Sequence, residues 1–201
     1  MIVHNLFPTP VAKFTLGREF TTEEMDFVDQ QPTHSNMGNT TSDDRYVLTH
    51  KTMGALHRFV QECVGTYLEK ICEPSNEVSL RVTQSWLNYS KPGEWHHKHA
   101  HPNSFVSGVL YMKAVKDLDK IYFYNDAYKT IELPAKNYNL YNSKSWWLPV
   151  ETGDLILFPS SFTHSVEKVE AQETRVSMAF NTFPVGYVGQ EETLTALHLR
   201  D

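Results

Sequence analysis

Four of the chain's ten histidines fall within six residues, His96-His97-Lys98-His99-Ala100-His101. Neutral imidazole is a ligand for zinc, copper, iron and nickel. Residues two apart on a strand point to the same face, so His99 and His101 can reach one metal ion. His164, downstream of the strand-like segment from Asp154 to Phe158, offers a third ligand. An H-x-H pair plus a distant histidine is the pattern of a metal held between strands of a small β-barrel. Three protein ligands on one side of an iron leave positions open for substrate and dioxygen. The opposing reading is a solvated loop that happens to be rich in histidine. The Lys91-Pro92-Gly93 turn before the run and the strong strand after it weigh against that. His97 shares strand parity with His99, so His97-Lys98-His99 is an alternative pair. Otherwise His96 and His97 suit contacts behind the ligands or the lining of an entrance.

These side chains need a scaffold, and the periodicity supplies one. Asn5 to Leu16 carries Pro8 and Pro10 in an alternating apolar pattern, which suits an edge strand. Thr21 and Glu24 form a capping box for a short helix through about Gln30. Gln31 to Ser42, rich in Thr, Ser, Asn, Gly and Pro, reads as a loop able to cover a site. Leu56, Phe59, Val60, Cys63, Val64, Tyr67, Leu68 and Ile71 recur at helical spacing as one apolar stripe, with His57 just off it. From Val78 the period becomes two, with Val78, Leu80, Val82, Gln84, Trp86 and Asn88 on one face. Further strands are expected at Phe105 to Met112, Lys120 to Tyr124, Leu155 to Phe158 and Arg175 to Phe180. Asn125 to Val150, polar and aromatic, reads as a long connection with short strands. Helices first and strands afterwards predict a mainly β (α+β) fold, a helix-buttressed β-barrel. One domain is expected over residues 1–201, with a helical and edge-strand part to about 75 and a β core from about 78 to 185.

The net charge of −6 and the absence of a basic cluster argue against a nucleic-acid partner. No apolar run reaches membrane-spanning length, and no basic start precedes an apolar stretch. Two cysteines, Cys63 and Cys72, stand nine residues apart in one helical segment, off a common face. They read as reduced thiols, and the expected location is cytoplasmic. Oligomeric state leaves no signal.

The run His99-Ala100-His101-Pro102-Asn103-Ser104-Phe105-Val106-Ser107-Gly108-Val109-Leu110-Tyr111 resembles the signature of a family of 2-oxoglutarate and Fe(II)-dependent oxygenases found in marine bacteria and their phages. The blocks Gly153 to Ser160 through His164, and Arg175 to Asn181, are similar to it too, as is the weaker Phe7-Pro8-Thr9-Pro10. The resemblance covers most of the chain from Trp86 to Asn181. It implies a double-stranded β-helix (a jelly roll, cupin-like), and the host cytoplasm for a phage-encoded member. His99, His101 and His164 take the iron-ligand positions. Arg175 takes that of the basic residue holding the distal carboxylate of 2-oxoglutarate, and Ser177 that of its hydroxyl partner. Strand parity agrees, because Arg175, Ser177, Ala179 and Asn181 share one face. A buried Arg needs an anionic partner, and its fork fits a carboxylate; a structural ion pair is the competing reading. Tyr111 and Asn88 are further candidates to touch the cosubstrate or a bound water, Tyr111 being equally readable as core. Most such enzymes place an acid where this chain has His101. Asp126 and Asp154 lack the spacing to replace it.

The resulting expectation is a dioxygenase that consumes 2-oxoglutarate and dioxygen, releases succinate and CO2, and hydroxylates an unidentified small molecule or protein side chain. The runner-up is a cupin-like three-histidine metalloprotein that does not use 2-oxoglutarate. Gly93 followed by five residues and His99-Ala100-His101 fits the first cupin motif, but Phe105 and Val106 stand where its glutamate is expected. A third reading, a binding module with aromatic loops around Trp146 and Trp147, leaves the histidines unexplained. The loops at Gln31 to Ser42 and Asn125 to Val150 are the expected carriers of substrate specificity.

Overall fold

The computed structural model describes residues 1–126, 131 and 133–200. The part of the Asn125 to Val150 connection at 127–130 and 132 lies outside the described residues. Two sheets face each other. The larger runs β1(Ala12–Thr15), β9(Asp154–Pro159), β6(Val106–Lys113), β11(Arg175–Val188), β4(Val78–Ser90), β3(Thr40–Ser42) and β2(Thr33–Ser35), with β12(Leu197–Leu199) paired to β11. The smaller runs β5(His96–His99), β10(His164–Val166), β7(Lys120–Tyr124) and β8(Ser145–Pro149). All of these pairings are antiparallel, and the architecture is a jelly roll.

The middle strands of the large sheet are buried on both faces, which is why their sequences read as continuous apolar runs. Leu110, Met112, Leu155, Leu157, Met178 and Phe180 pack outward into one cluster with Leu56, Val60 and Val64 of α2(Gly54–Tyr67). Val109, Tyr111, Ile156, Phe158 and Ala179 point inward and pack with Ile121 and Phe123 of the small sheet. The helices thus cover the outside of the large sheet, and the space between the sheets is left for the site. α1(Thr22–Asp29) starts with the expected capping box, Thr21 with Glu24, and Arg18 pairs with that same buried Glu24 at 2.6 Å.

Three local expectations are corrected. Gln31 to Ser42 contains a hairpin, β2–β3, that extends the large sheet; the β-branched Thr33, Thr40 and Thr41 make strands there. Gly38 turns the hairpin at φ +87°, and a Cβ on it would meet the Trp95 carbonyl at 2.6 Å. Secondly, the alternating face of β4 is broken. The register against β11 steps from Asn181↔Gln84 to Thr182↔Val82, leaving Thr83 as a bulge. Leu80 and Val82 therefore join the helix-side cluster, while Trp86 faces the other way, toward the inter-sheet core. Finally, Ile71 leaves the apolar stripe and is 48% exposed. After Tyr67 the helix widens into a turn closed by Glu73 N–H to Leu68 O at 3.0 Å, which rotates Ile71 off the face.

Candidate metal centre

The histidines meet where the small sheet opens. His99 ends β5 and stands in register with His164, the first residue of β10. His101 lies just beyond the strand rather than on it, held by its N–H to Ser160 O at 2.9 Å. Its ring still stacks on that of His99, with centroids 5.1 Å apart and 14° between planes. One potential ligand atom from each of His99, His101 and His164 falls within 4.8 Å of the others, a spacing suited to holding one ion.

Each of the three rings has its Nδ1 committed to an oxygen. His99 Nδ1–H donates to His97 O at 2.8 Å, His164 Nδ1–H to Phe162 O at 3.0 Å and His101 Nδ1–H to Asn181 Oδ1 at 2.7 Å. These bonds fix the tautomer, so the lone pair of every Nε2 is left for a metal. The Nε2 atoms of His99 and His101 stand 3.2 Å apart. Two lone pairs facing at that distance repel unless a cation lies between them. Burial, and then mutual repulsion of positive charge, pushes His164 down to about 2. Burial likewise takes His101 to about 4, against a partial opposing effect of Asn181, and it lowers His99. At neutral pH the three are uncharged and ready to ligate.

A second cluster, His96, His97 and His99, is also close enough to hold an ion. It is less buried, and it would need His99 twice. His96 differs from the ligand set in tautomer: Asn39 Nδ2–H donates to His96 Nδ1 at 3.3 Å, so His96 presents Nε2–H, a donor. Its ring is pushed down to about 3 by burial, then by its histidine neighbours and Arg175.

Behind the triad lies a cavity of about 30 Å³ lined by Asn88, Tyr111, Ser177 and Ala179 together with His96, His99, His101 and His164. Tyr111 Oη and Asn88 Oδ1 are buried there with no hydrogen-bond partner. Arg175 stands on the same face of β11 and is buried, its Nη1 3.4 Å from Asp119 Oδ1 and its Nη2 donating to Ser90 Oγ at 3.2 Å. Asp119 is a site residue that sequence reading passed over. It sits in a turn among other charged residues, and only the fold turns it inward. Asn181, a further cosubstrate candidate on the same inward row, accepts from His101 Nδ1–H, and Ser107 Oγ–H also donates to it at 2.9 Å. Neither acid considered in place of His101 joins the histidine cluster. Asp154 pairs with Lys13 at 2.6 Å and Asp126 pairs with Lys98.

Residues 84–181 match the family model described as "Putative 2OG-Fe(II) oxygenase", and this segment holds every candidate ligand. No curated protein matches the sequence. Solved structures with the same fold include HygX from Streptomyces hygroscopicus, with nickel, 2-oxoglutarate and hygromycin B bound (11% identity, 87% of this chain and 82% of that one, TM-score 0.61). The non-heme alpha ketoglutarate dependent epimerase SnoN from nogalamycin biosynthesis is another (11% identity, 87% and 76% covered, TM-score 0.61). A 2OG-Fe(II) oxygenase family oxidoreductase from Burkholderia pseudomallei is a third (12% identity, 79% and 74% covered, TM-score 0.56). The family match over residues 84–181, the shared fold and the three-histidine cluster all agree with one another.

Proposed function

We propose that the whole chain forms one oxygenase domain in which His99, His101 and His164 hold Fe(II) through Nε2, and Arg175 and Ser177 receive the distal carboxylate of 2-oxoglutarate. The observation that carries this reading is the shared tautomer of the three rings, two buried and His99 half-buried, each with Nδ1 tied to an oxygen and Nε2 left free. The inner cavity suits the cosubstrate chemically. Tyr111 O–H lacks an acceptor, which a carboxylate provides, and a guanidinium with five donors has N–H groups beyond those given to Asp119 and Ser90. The cavity holds only roughly two water molecules, so side chains at its mouth move as the cosubstrate enters.

Bound iron and 2-oxoglutarate supply the oxidant: one atom of dioxygen goes into succinate as CO2 leaves, and the other into the hydroxylated product. The chain's own contributions are neutral ligands, a fixed tautomer at His101, a small enclosed seat between the sheets, and an Nε2–H on His96 in its lining. An unidentified small molecule or protein side chain is the proposed substrate, and the bacterial cytoplasm (the host's, for a phage-encoded chain) the proposed location. No helix among the described residues is long and apolar enough to cross a membrane.

A cupin-like reading without 2-oxoglutarate has one observation in its favour, since Asp119 already faces Arg175. Anaerobic titration of the apoprotein with Fe(II) and then 2-oxoglutarate separates the two. A visible metal-to-cosubstrate charge-transfer band, lost in His164→Ala and in Arg175→Ala, is the expected result. Iron binding with no band on adding 2-oxoglutarate overturns the oxygenase reading in favour of the cupin-like one.

A further inference from the structure

A groove of about 400 Å³ shares Trp86, His96, His99 and His101 with the inner cavity. Arg45, Gln84, Trp86 and Asn103 line it together with His99 and His101. Among the described residues its one Arg or Lys is Arg45, half-buried, contributed by the segment that follows β3. Arg45 Nη2 donates to the neutral side of His34, Nε2, at 3.1 Å, and Nη1 to Thr41 Oγ1 at 3.4 Å. The flanking acids are committed elsewhere, Asp43 to His34 at 2.6 Å and Asp44 to His50 at 2.7 Å. Among the described residues no carboxylate forms an ion pair with Arg45. Each terminal nitrogen therefore keeps a second N–H, and the guanidinium belongs to the lining of the groove. Such a fork matches the two oxygens of a carboxylate.

The rest of the lining narrows the class of ligand. One cation suits a single negative charge, whereas phosphate with its higher charge draws several basic groups. Gln84 and Asn103 both donate and accept, and Trp86 gives an apolar face. The volume is at the small end of the range for ligand sites and fits a molecule about the size of an amino acid or dipeptide. We propose that this groove seats the prime substrate, and that the substrate is a small molecule bearing a carboxylate. Arg45 holds that carboxylate, and the carbon to be hydroxylated lies over His99 and His101. The proposal rests on the oxygenase reading: R–H, dioxygen and 2-oxoglutarate give R–OH, succinate and CO2.

The test uses the full chain loaded with Fe(II) and 2-oxoglutarate in air, with succinate measured by NMR. The additives are the proteinogenic amino acids and short aliphatic monocarboxylic acids, each compared with its primary carboxamide. The expected result is succinate formation stimulated by an acid and not by its carboxamide. Arg45→Gln should raise the KM for that acid about 10- to 100-fold with a much smaller change in kcat, and Arg45→Lys should fall between. Equal stimulation by acid and amide, no stimulation by any acid, or a KM in Arg45→Gln within threefold of wild type overturns the proposal. If Arg45→Gln does not fold, the acid–amide comparison on the unaltered protein decides alone. The anaerobic charge-transfer band is read first on the same sample. Its absence overturns the oxygenase reading and this proposal with it, while a band without acid dependence overturns this proposal only.

Discussion

Asn181→Ala removes the one acceptor that fixes His101. Two buried donors use Asn181 Oδ1, His101 Nδ1–H at 2.7 Å and Ser107 Oγ–H at 2.9 Å. Ser107 has a substitute, because its hydroxyl also lies 2.8 Å from Ser160 Oγ. His101 has none, and it is 7% exposed, so water does not replace the loss cheaply. The apoprotein should lose about 1–3 kcal/mol, the cost of one orphaned buried donor. Metal binding should suffer separately, since the ring is free to take the other tautomer and turn N–H toward the ion. Loss of such an orienting partner weakens metal affinity about 10- to 100-fold. Anaerobic Fe(II) titration gives the affinity, and urea denaturation of the metal-free protein gives the stability. Asn181→Asp keeps the acceptor and adds charge, so it should retain iron far better than Asn181→Ala. A destabilised Asn181→Ala protein that binds Fe(II) within threefold of wild type would refute the tautomer argument.

Asp119→Asn leaves the buried Arg175 without its internal carboxylate, which should destabilise the cosubstrate-free protein by about 3–5 kcal/mol. Because 2-oxoglutarate brings a replacement carboxylate, its thermal-shift effect on the iron-loaded protein should be larger in Asp119→Asn than in wild type; an equal shift would place Arg175 outside the cosubstrate seat. The apoprotein should hold constant stability above about pH 6.5 and lose it as pH falls from there toward 4. His101, His96 and His164 are depressed to about 4, about 3 and about 2, so in that window the unfolded chain binds protons that the fold refuses. The slope should approach about 1.4 kcal/mol per pH unit for each of the three, and unfolding curves that coincide at pH 7.5 and 5 would contradict it. His97→Ala should still bind one Fe(II), since His97 supplies His99 with only a backbone carbonyl, whereas His99→Ala should lose it; the reverse order would move the site to the cluster of His96, His97 and His99.

Much of this site was legible because its chemistry is local. His99 and His101 are two residues apart, and the inward row Arg175, Ser177, Ala179, Asn181 needs only strand parity. The capping box at Thr21 is a four-residue pattern, and the structure keeps it. What could not be read is what depends on cross-strand register. The bulge at Thr83 turns Leu80 and Trp86 to opposite faces of a strand that looks uniformly alternating. The β2–β3 hairpin is made of residues that also build loops, and becomes strand only because the edge of β4 is there to pair with Thr40 and Thr41. Asp119 and Arg45 belong to the site through contacts with residues 56 and 11 positions away in sequence, Arg175 and His34. No spacing rule reaches them.

The missing acid has an electrostatic consequence that follows from the proposed ligand set. Three neutral imidazoles leave the full double positive charge of Fe(II) in a buried site whose other formal charges, Arg175 and Asp119, cancel each other. No carboxylate ligand reduces it, since Asp154 and Asp126 are held elsewhere by Lys13 and Lys98. A dianionic cosubstrate then brings the centre to neutrality, whereas a carboxylate-ligated iron would end with a net negative charge. Burying charge is costly and burying a neutral ensemble much less so. Iron and 2-oxoglutarate should therefore bind with strong mutual dependence here, each far more tightly in the presence of the other. His101→Asp should weaken that coupling while strengthening binding of iron alone. Titrations of Fe(II) with and without 2-oxoglutarate measure both quantities, and an unchanged ratio of the two affinities in His101→Asp would show that charge is not what the third histidine sets.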